Sequence, residues 1–181
     1  MHRVQKLVND LRFLFPYADI WLVGHSLGGS LASLLGSTFG LPAVAFEAPG
    51  ERMAAHRLHL PLPPSLPGGG DLPHVPIIHV YHNADPIPQG ACTGIASPCA
   101  QAGYALETRC HLGQSIVYDT VTRLGWQVDV RKHPIKELVL NVLDLQGPWP
   151  DVQGGAEREV PIPRKEVDCV VCFPFSASRV N

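Results

Sequence analysis

The chain has 181 residues, of which 45% are hydrophobic and 17% are charged, and its formal net charge is −2. This length suits one globular domain, and the near-neutral charge argues against nucleic acid as a partner. The sequence contains no run of about eighteen apolar residues, so it predicts no transmembrane helix. We expect neither a cofactor nor a metal.

The first predicted element is an amphipathic helix that ends at Pro16. We expect it to pack on the core rather than on a membrane. Its apolar face consists of Val4, Leu7, Val8, Leu11, Leu14 and Phe15.

A Gly-x-Ser-x-Gly motif follows at residues 24–28. Residues 20–23 are apolar throughout, which predicts a buried strand of a parallel sheet. Residues 27–39 carry leucines and a phenylalanine at helical spacing. The order of strand, turn and helix is typical of the nucleophile elbow of serine hydrolases. The alternative is a glycine-rich tight turn without chemistry.

In such an elbow, Ser26 is the nucleophile at the tip of a sharp turn. Gly24 and Gly28 are expected on its flanks because the turn leaves no room for side chains, and His25 completes the motif. The backbone N–H of Leu27, at the start of the helix, is predicted to donate a hydrogen bond to the oxyanion.

The remaining pattern alternates strands, helices and loops. Strands are predicted at residues 42–46 and 77–82, helices at 51–60 and 135–143, and a Pro/Gly-rich insertion loop at 61–76. Residues 115–130 are compatible with a helix or a hairpin. We expect residues 1–145 to form the domain and residues 146–181 to form a loose, Pro/Gly-rich tail.

A serine nucleophile needs a base, and the base needs an orienting carboxylate. In α/β-hydrolases the acid and then the histidine follow the serine. Asp85 comes directly after a predicted strand and before a stiffening proline, which favours it as the acid. Asp119 and Asp129 are alternatives.

Nine histidines are present, but only His111 and His133 follow Asp85. His133 precedes a predicted proline-started helix, from which its ring can project toward the elbow, so we favour it as the base. His111 is the alternative, although it can equally pack or cap.

Five cysteines cannot all pair within one chain. Cys92 and Cys99 flank a loop in which a disulfide would be useful. Cys169 and Cys172 form a CxxC pair, but a zinc site needs further ligands, so we expect none.

Several segments resemble the class 3 lipases, and in particular the fungal autophagy lipases. They are residues 24–29, 43–50, 85–88, 104–113, 115–121 and 168–173. The resemblance implies an α/β-hydrolase fold and places the catalytic triad on Ser26, Asp85 and His133.

The resemblance also implies hydrolysis of triacylglycerol and phospholipid esters, with lipid membranes as the partner. It implies a location in the vacuole lumen and in multivesicular endosomes, where such enzymes lyse autophagic bodies. Few residues precede the elbow strand, so we expect a partial α/β-hydrolase fold that lacks its amino-terminal strands. The alternatives are a catalytically impaired fragment that binds lipid or a partner, and an acyltransferase.

Overall fold

The computed structural model of the protein describes residues 2–60, 76–90 and 110–166. Its centre is a sheet of four parallel strands, which lie side by side in chain order. These strands are β1 (Leu22–His25), β2 (Ala43–Phe46), β3 (Ile77–His82) and β4 (Gln114–Tyr118). Because all four run in the same direction, their carboxyl ends meet at one edge of the sheet, where α/β proteins hold their sites.

Five α-helices accompany the sheet in the described part of the chain. They are α1 (His2–Leu14), α2 (Leu27–Phe39), α3 (Arg52–Arg57), α4 (Thr120–Leu124) and α5 (Ile135–Leu138). A 3₁₀ turn spans Val130–Lys132, and a π-helical turn, Val139–Leu143, continues α5. No helix among the described residues combines the length and the apolarity needed to cross a bilayer.

The two faces of the sheet carry separate apolar clusters, because successive side chains of a strand point in opposite directions. The cluster on the α2 face contains Leu34, Ala43, Ala55, Ile77 and Leu112. The cluster on the opposite face contains Val80, Tyr118, Leu138, Val142 and Trp149.

The prediction that residues 20–23 form a wholly buried strand was wrong. The strand begins at Leu22, and Trp21 and Val23 are 63% and 64% exposed. The physical reason is position: among the described strands β1 pairs only with β2, so it forms an edge. Helix α1 also differs from its prediction, because Val8 is buried while Leu7, Leu14 and Phe15 are exposed.

Residues 115–130 form neither one helix nor a hairpin. Strand β4 ends at Tyr118, and the short helix α4 follows at once. The Asp119 carboxylate accepts a hydrogen bond from Thr122 N and so caps this helix, which explains the abrupt change. Gly125 ends it in the left-handed conformation at φ 64°.

Residues 146–166 are irregular and residues 152–160 are exposed, but Trp149 is buried against the domain and anchors this described part of the expected tail. The Trp149 ring lies edge-on to Tyr118 with centroids 5.1 Å apart, inside the second apolar cluster. Isolated bridges join Trp149 to Arg158 and Ser115 to Arg164. The burial of one large indole anchors this irregular segment. The CxxC pair, and all but the last residue of the predicted 61–76 loop, lie outside the described residues.

Candidate active site

Ser26 occupies a sharp turn between β1 and α2. Its backbone has φ 54° and ψ −131°, a conformation that is costly for a residue with a Cβ. A Cβ on Gly24 would collide with the backbone of Gly28. At Gly28 itself a Cβ would meet nothing within 4 Å, so the steric argument applies to Gly24 and not to Gly28.

Three predicted site residues are joined by two hydrogen bonds. His133 Nε2 lies 2.8 Å from Ser26 Oγ, and His133 Nδ1 lies 2.7 Å from Asp85 Oδ2. The imidazole can therefore accept the serine proton through Nε2 while it donates Nδ1–H to the carboxylate. This arrangement can activate a hydroxyl as a nucleophile.

Loops that leave the carboxyl edge of the sheet hold the acid and the base. Asp85 lies just past β3, is fully buried, and accepts a hydrogen bond of 3.0 Å from Ile87 N. His133 ends the 3₁₀ turn, whose cap residue Asp129 donates its backbone N–H to Ala84 O at 3.0 Å. The acid loop and the base loop are thus bonded directly to each other.

His25 has a contact that the sequence did not indicate. Its Nε2 lies 3.0 Å from the carbonyl oxygen of His133, and the two rings lie 4.9 Å apart. The residue before Ser26 therefore supports the backbone of the base. Leu27 begins α2, where the first N–H groups have no partner inside the helix, and its side chain is 67% exposed.

The alternative acids are engaged elsewhere. Asp119 accepts hydrogen bonds from Thr122 N and Asn83 Nδ2; although burial opposes ionisation, these bonds lower the pKa of Asp119. Asp129 is held by the Arg131 guanidinium, which lowers the pKa of Asp129 to about 2. Both carboxylates stabilise helical turns.

His111, the alternative base, lies in a different buried cluster. Its Nε2 is 2.9 Å from Ala48 O and its Nδ1 is 2.8 Å from Glu166 Oε1. Both neighbours are acceptors, so both ring nitrogens must carry protons and the ring is an imidazolium. Burial alone would lower the pKa of His111, but its bond to Glu166 outweighs that effect and raises it.

Glu51, His79 and His111 present ligand-type atoms within 4.8 Å of one another. A metal would need a ring nitrogen with a free lone pair. His111 has none in this arrangement, because both of its nitrogens donate. Glu51 instead accepts hydrogen bonds from Ser33 Oγ and from Leu112 N, which suits a carboxylate that joins α2, α3 and the segment before β4.

Cys110 is disulfide-bonded and buried. Cys92, Cys99, Cys169 and Cys172 lie outside the described residues, so the pairing expected between Cys92 and Cys99 stays a prediction.

Comparison with known proteins gives this geometry a family context. The model of the class 3 lipase family matches residues 2–57, which include the elbow. The chain is 55% identical over 141 residues to the putative lipase ATG15 of Mycosarcoma maydis. The aligned region is 77% of this chain and 27% of that protein. The chain is a relative of the class 3 lipases.

Two further relatives support the same relationship. The putative lipase ATG15 of Pichia angusta is 51% identical over 140 residues (77% of this chain, 25% of that protein). That of Kluyveromyces lactis is 54% identical over 128 residues (71% and 23%). The chain thus spans about a quarter of the length of these lipase relatives. No solved structure matches it.

Proposed function

We propose that the protein is a serine esterase that hydrolyses triacylglycerol and phospholipid esters. The observation that carries the proposal is the pair of hydrogen bonds that links Ser26, His133 and Asp85. The lipase relatives support the choice of lipid esters as the substrate class.

The proposed chemistry has two halves. In the first, Ser26 Oγ attacks the ester carbonyl. His133 Nε2 takes the hydroxyl proton of Ser26 and passes it to the leaving alcohol. In the second, water attacks the acyl-serine carbonyl while His133 Nε2 takes a proton from the water. The acyl–Oγ bond then breaks, Nε2 returns the proton to Ser26 Oγ, and the fatty acid leaves. Asp85 holds the imidazole in the required tautomer and stabilises its cation, and the Leu27 N–H donates to the oxyanion.

The surface beside the nucleophile suits an apolar substrate. Leu27 follows Ser26 in the chain, and its side chain is more than half exposed. Its apolar surface would be covered when acyl chains approach the hydroxyl. The substrate would then gain binding free energy from burial of its own apolar surface.

We further propose a role in the breakdown of intravacuolar membranes, including autophagic bodies, with the vacuole lumen and multivesicular endosomes as the site of action. The support is the similarity to putative lipases named ATG15 over most of this chain.

The experiment that tests the proposal combines a fluorophosphonate probe with ester hydrolysis. We expect covalent labelling at Ser26 and hydrolysis of a short-chain nitrophenyl ester and of emulsified triacylglycerol. Ser26→Ala should abolish labelling and lower turnover on the order of a millionfold, and Asp85→Asn about ten-thousandfold. Asp19→Asn, at an exposed position, is the matched control.

An unlabelled Ser26 in folded protein would overturn the assignment. Binding to lipid vesicles without labelling would indicate instead a catalytically impaired protein that binds lipid. Transfer of the acyl group to added glycerol in preference to water would indicate an acyltransferase that uses the same acyl-serine.

A further inference from the structure

Glu47 is a fully buried acid directly after β2, with no role in the mechanism above. Its backbone has φ 44°, a conformation that residues with a Cβ rarely adopt. The hydrogen bond from Glu47 N to Val80 O, at 3.0 Å, holds this turn against β3. Strained buried residues of this kind often mark functional positions.

The two carboxyl oxygens of Glu47 have different surroundings. Oε1 accepts a hydrogen bond of 3.1 Å from the backbone N–H of His82. Oε2 is buried and has no donor among the described residues. The neighbouring acid is Asp85. Glu47 Oε1 accepts from His82 N, and Asp85 N donates to the His82 carbonyl at 3.2 Å, so the backbone of one residue at the end of β3 holds both buried acids. Two carboxyl groups in a buried contact need a proton between them.

The neighbouring groups decide which acid carries that proton. Asp85 already accepts hydrogen bonds from His133 Nδ1–H and from Ile87 N, so its oxygens act as acceptors toward both groups. The nearest cation candidate for Glu47 is His82, whose Nε2 lies 3.7 Å from Glu47 Oε1. That nitrogen bonds instead to Lys132 O at 3.1 Å, and burial lowers the pKa of His82, so the ring is neutral.

We propose that Glu47 is a neutral carboxylic acid that donates a hydrogen bond from its carboxyl group to Asp85 and thereby positions the acid of the triad. The inference rests on the proposed function, because Glu47 acts only through Asp85 and touches no substrate. The Glu47 proton leaves only one of the two neighbouring acids charged, and it gives the buried Glu47 carboxyl oxygen a hydrogen-bond partner. The same hydrogen bond fixes the Asp85 carboxylate, which orients His133.

Burial and the Asp85 charge both raise the pKa of Glu47 well above its usual value, in agreement with the geometry. The groups that face this carboxyl are Asp85 and His82, with His133 beyond Asp85. Because His82 is neutral, no described positive charge lies close enough to ionise Glu47 at neutral pH.

Two variants test whether Glu47 acts as a hydrogen-bond donor or only fills space in the core. Glu47→Gln keeps a donor toward Asp85 and an acceptor for His82 N, so we expect kcat within about threefold of the parent. Glu47→Leu has a side chain of similar size but no hydrogen-bond donor. We expect its kcat to fall about ten- to a hundredfold with KM unchanged.

The pH profile gives a readout that a merely structural role would not move. A carboxylate without its donor stabilises the imidazolium form of His133 more strongly. The acidic limb of kcat/KM should therefore move to higher pH in Glu47→Leu and stay in place in Glu47→Gln. An unchanged limb and unchanged kcat in folded Glu47→Leu, or equal damage in both variants, would overturn the proposal.

An infrared difference spectrum keeps the test valid even where Glu47→Leu fails to fold. The parent at neutral pH should show the carbonyl band of a protonated carboxylic acid, and Glu47→Gln should lack it. Absence of that band from the parent would overturn the proposal. Fluorophosphonate labelling distinguishes failure of the proposed esterase function from failure of the Glu47 proposal. An unlabelled parent refutes the esterase function. Equal labelling rates in the parent and in Glu47→Leu refute only the positioning role of Glu47.

Discussion

His25 lies next to the nucleophile in the sequence, but its side chain bonds to the backbone of the base. The contact between His25 Nε2 and His133 O closes a ring of interactions, because His133 in turn contacts Ser26. A sequence pattern cannot reveal this contact, since the two histidines are 108 positions apart. At the residue scale the base is thus held from two sides, by Asp85 and by His25.

His25→Ala tests this support. Loss of the hydrogen bond to a part-buried carbonyl should cost about 1 kcal/mol of stability and let the loop that carries His133 drift. We expect turnover of a nitrophenyl ester to fall about tenfold, because a small displacement of a base weakens catalysis. His56→Ala, on the exposed side of α3, is the control and should change neither quantity. Parent-like turnover of His25→Ala would exclude a positioning role for this ring.

At the element scale, the elbow is a steric device whose two glycines are not equivalent. A Cβ on Gly24 would collide with the backbone of Gly28, where nothing flexible can yield. A Cβ on Gly28 would meet open space inside the first turns of α2. The turn therefore depends on Gly24, whereas Gly28 contributes mainly conformational entropy in the unfolded chain.

Gly24→Ala and Gly28→Ala form a matched pair. The first should destabilise the protein by about 1–3 kcal/mol or more through overpacking. The second should be neutral or stabilise it by about 1 kcal/mol, because alanine favours the helix. Urea unfolding midpoints measure both. The steric account fails if both variants lose stability equally.

The sequence predicted β3 and α2 well, but not β1. Strand β3 and the start of α2 carry strong periodic patterns with clear stop signals, and they occur where predicted. The single residue Asp119 decided the character of residues 115–130, because its cap starts α4 directly after β4. Periodicity does not detect a cap, and it does not reveal that β1 would lie at an edge.

In the candidate site, too, the sequence predicts some residues and does not reveal the contacts of others. Chain order and strand ends were sufficient to propose Ser26, Asp85 and His133, which the structure brings together. The contacts of Glu47, His25 and Glu166 depend on tertiary packing between distant segments, so no local signal marks them.

At the scale of the whole molecule, buried charged side chains make the stability of the protein depend on pH. On the α2 face, Glu166 accepts hydrogen bonds from His111, Tyr81 and Ser115 and so ties residues 110–118 to the last described segment. Although burial opposes its ionisation, the bonds with His111 lower the pKa of Glu166 to about 2. Opposite shifts in the two partners make this pair a source of pH-dependent stability.

The sign of that dependence follows from the two shifts. The raised pKa of His111 gives stability that is complete below the ordinary histidine value of 6.5 and is lost as pH rises through the folded value. The lowered pKa of Glu166 gives stability that is complete above the ordinary value of 4.5 and is lost as pH falls toward 2. The pair therefore contributes most between pH 4.5 and 6.5.

Glu166→Gln isolates this contribution from that of the buried neutral His82, whose lowered pKa favours stability at higher pH. Removal of one partner from a buried pair should cost about 3–5 kcal/mol, and the difference from the parent should be largest in that acidic window. Thermal unfolding of both proteins from pH 3 to pH 9 measures it, and Glu159→Gln, at an exposed position, is the control. A stability difference that does not vary with pH would contradict the ionic character of the pair.

The separation of 107 residues between Ser26 and His133 also has a consequence during biosynthesis. A ribosome adds the hydroxyl long before the imidazole, and β3, which leads to the acid, is completed between them. A nascent chain thus carries a serine without its base. Only when the segment after β4 has emerged and docked can His133 contact Ser26, so the hydroxyl stays unactivated until most of the described chain has been made.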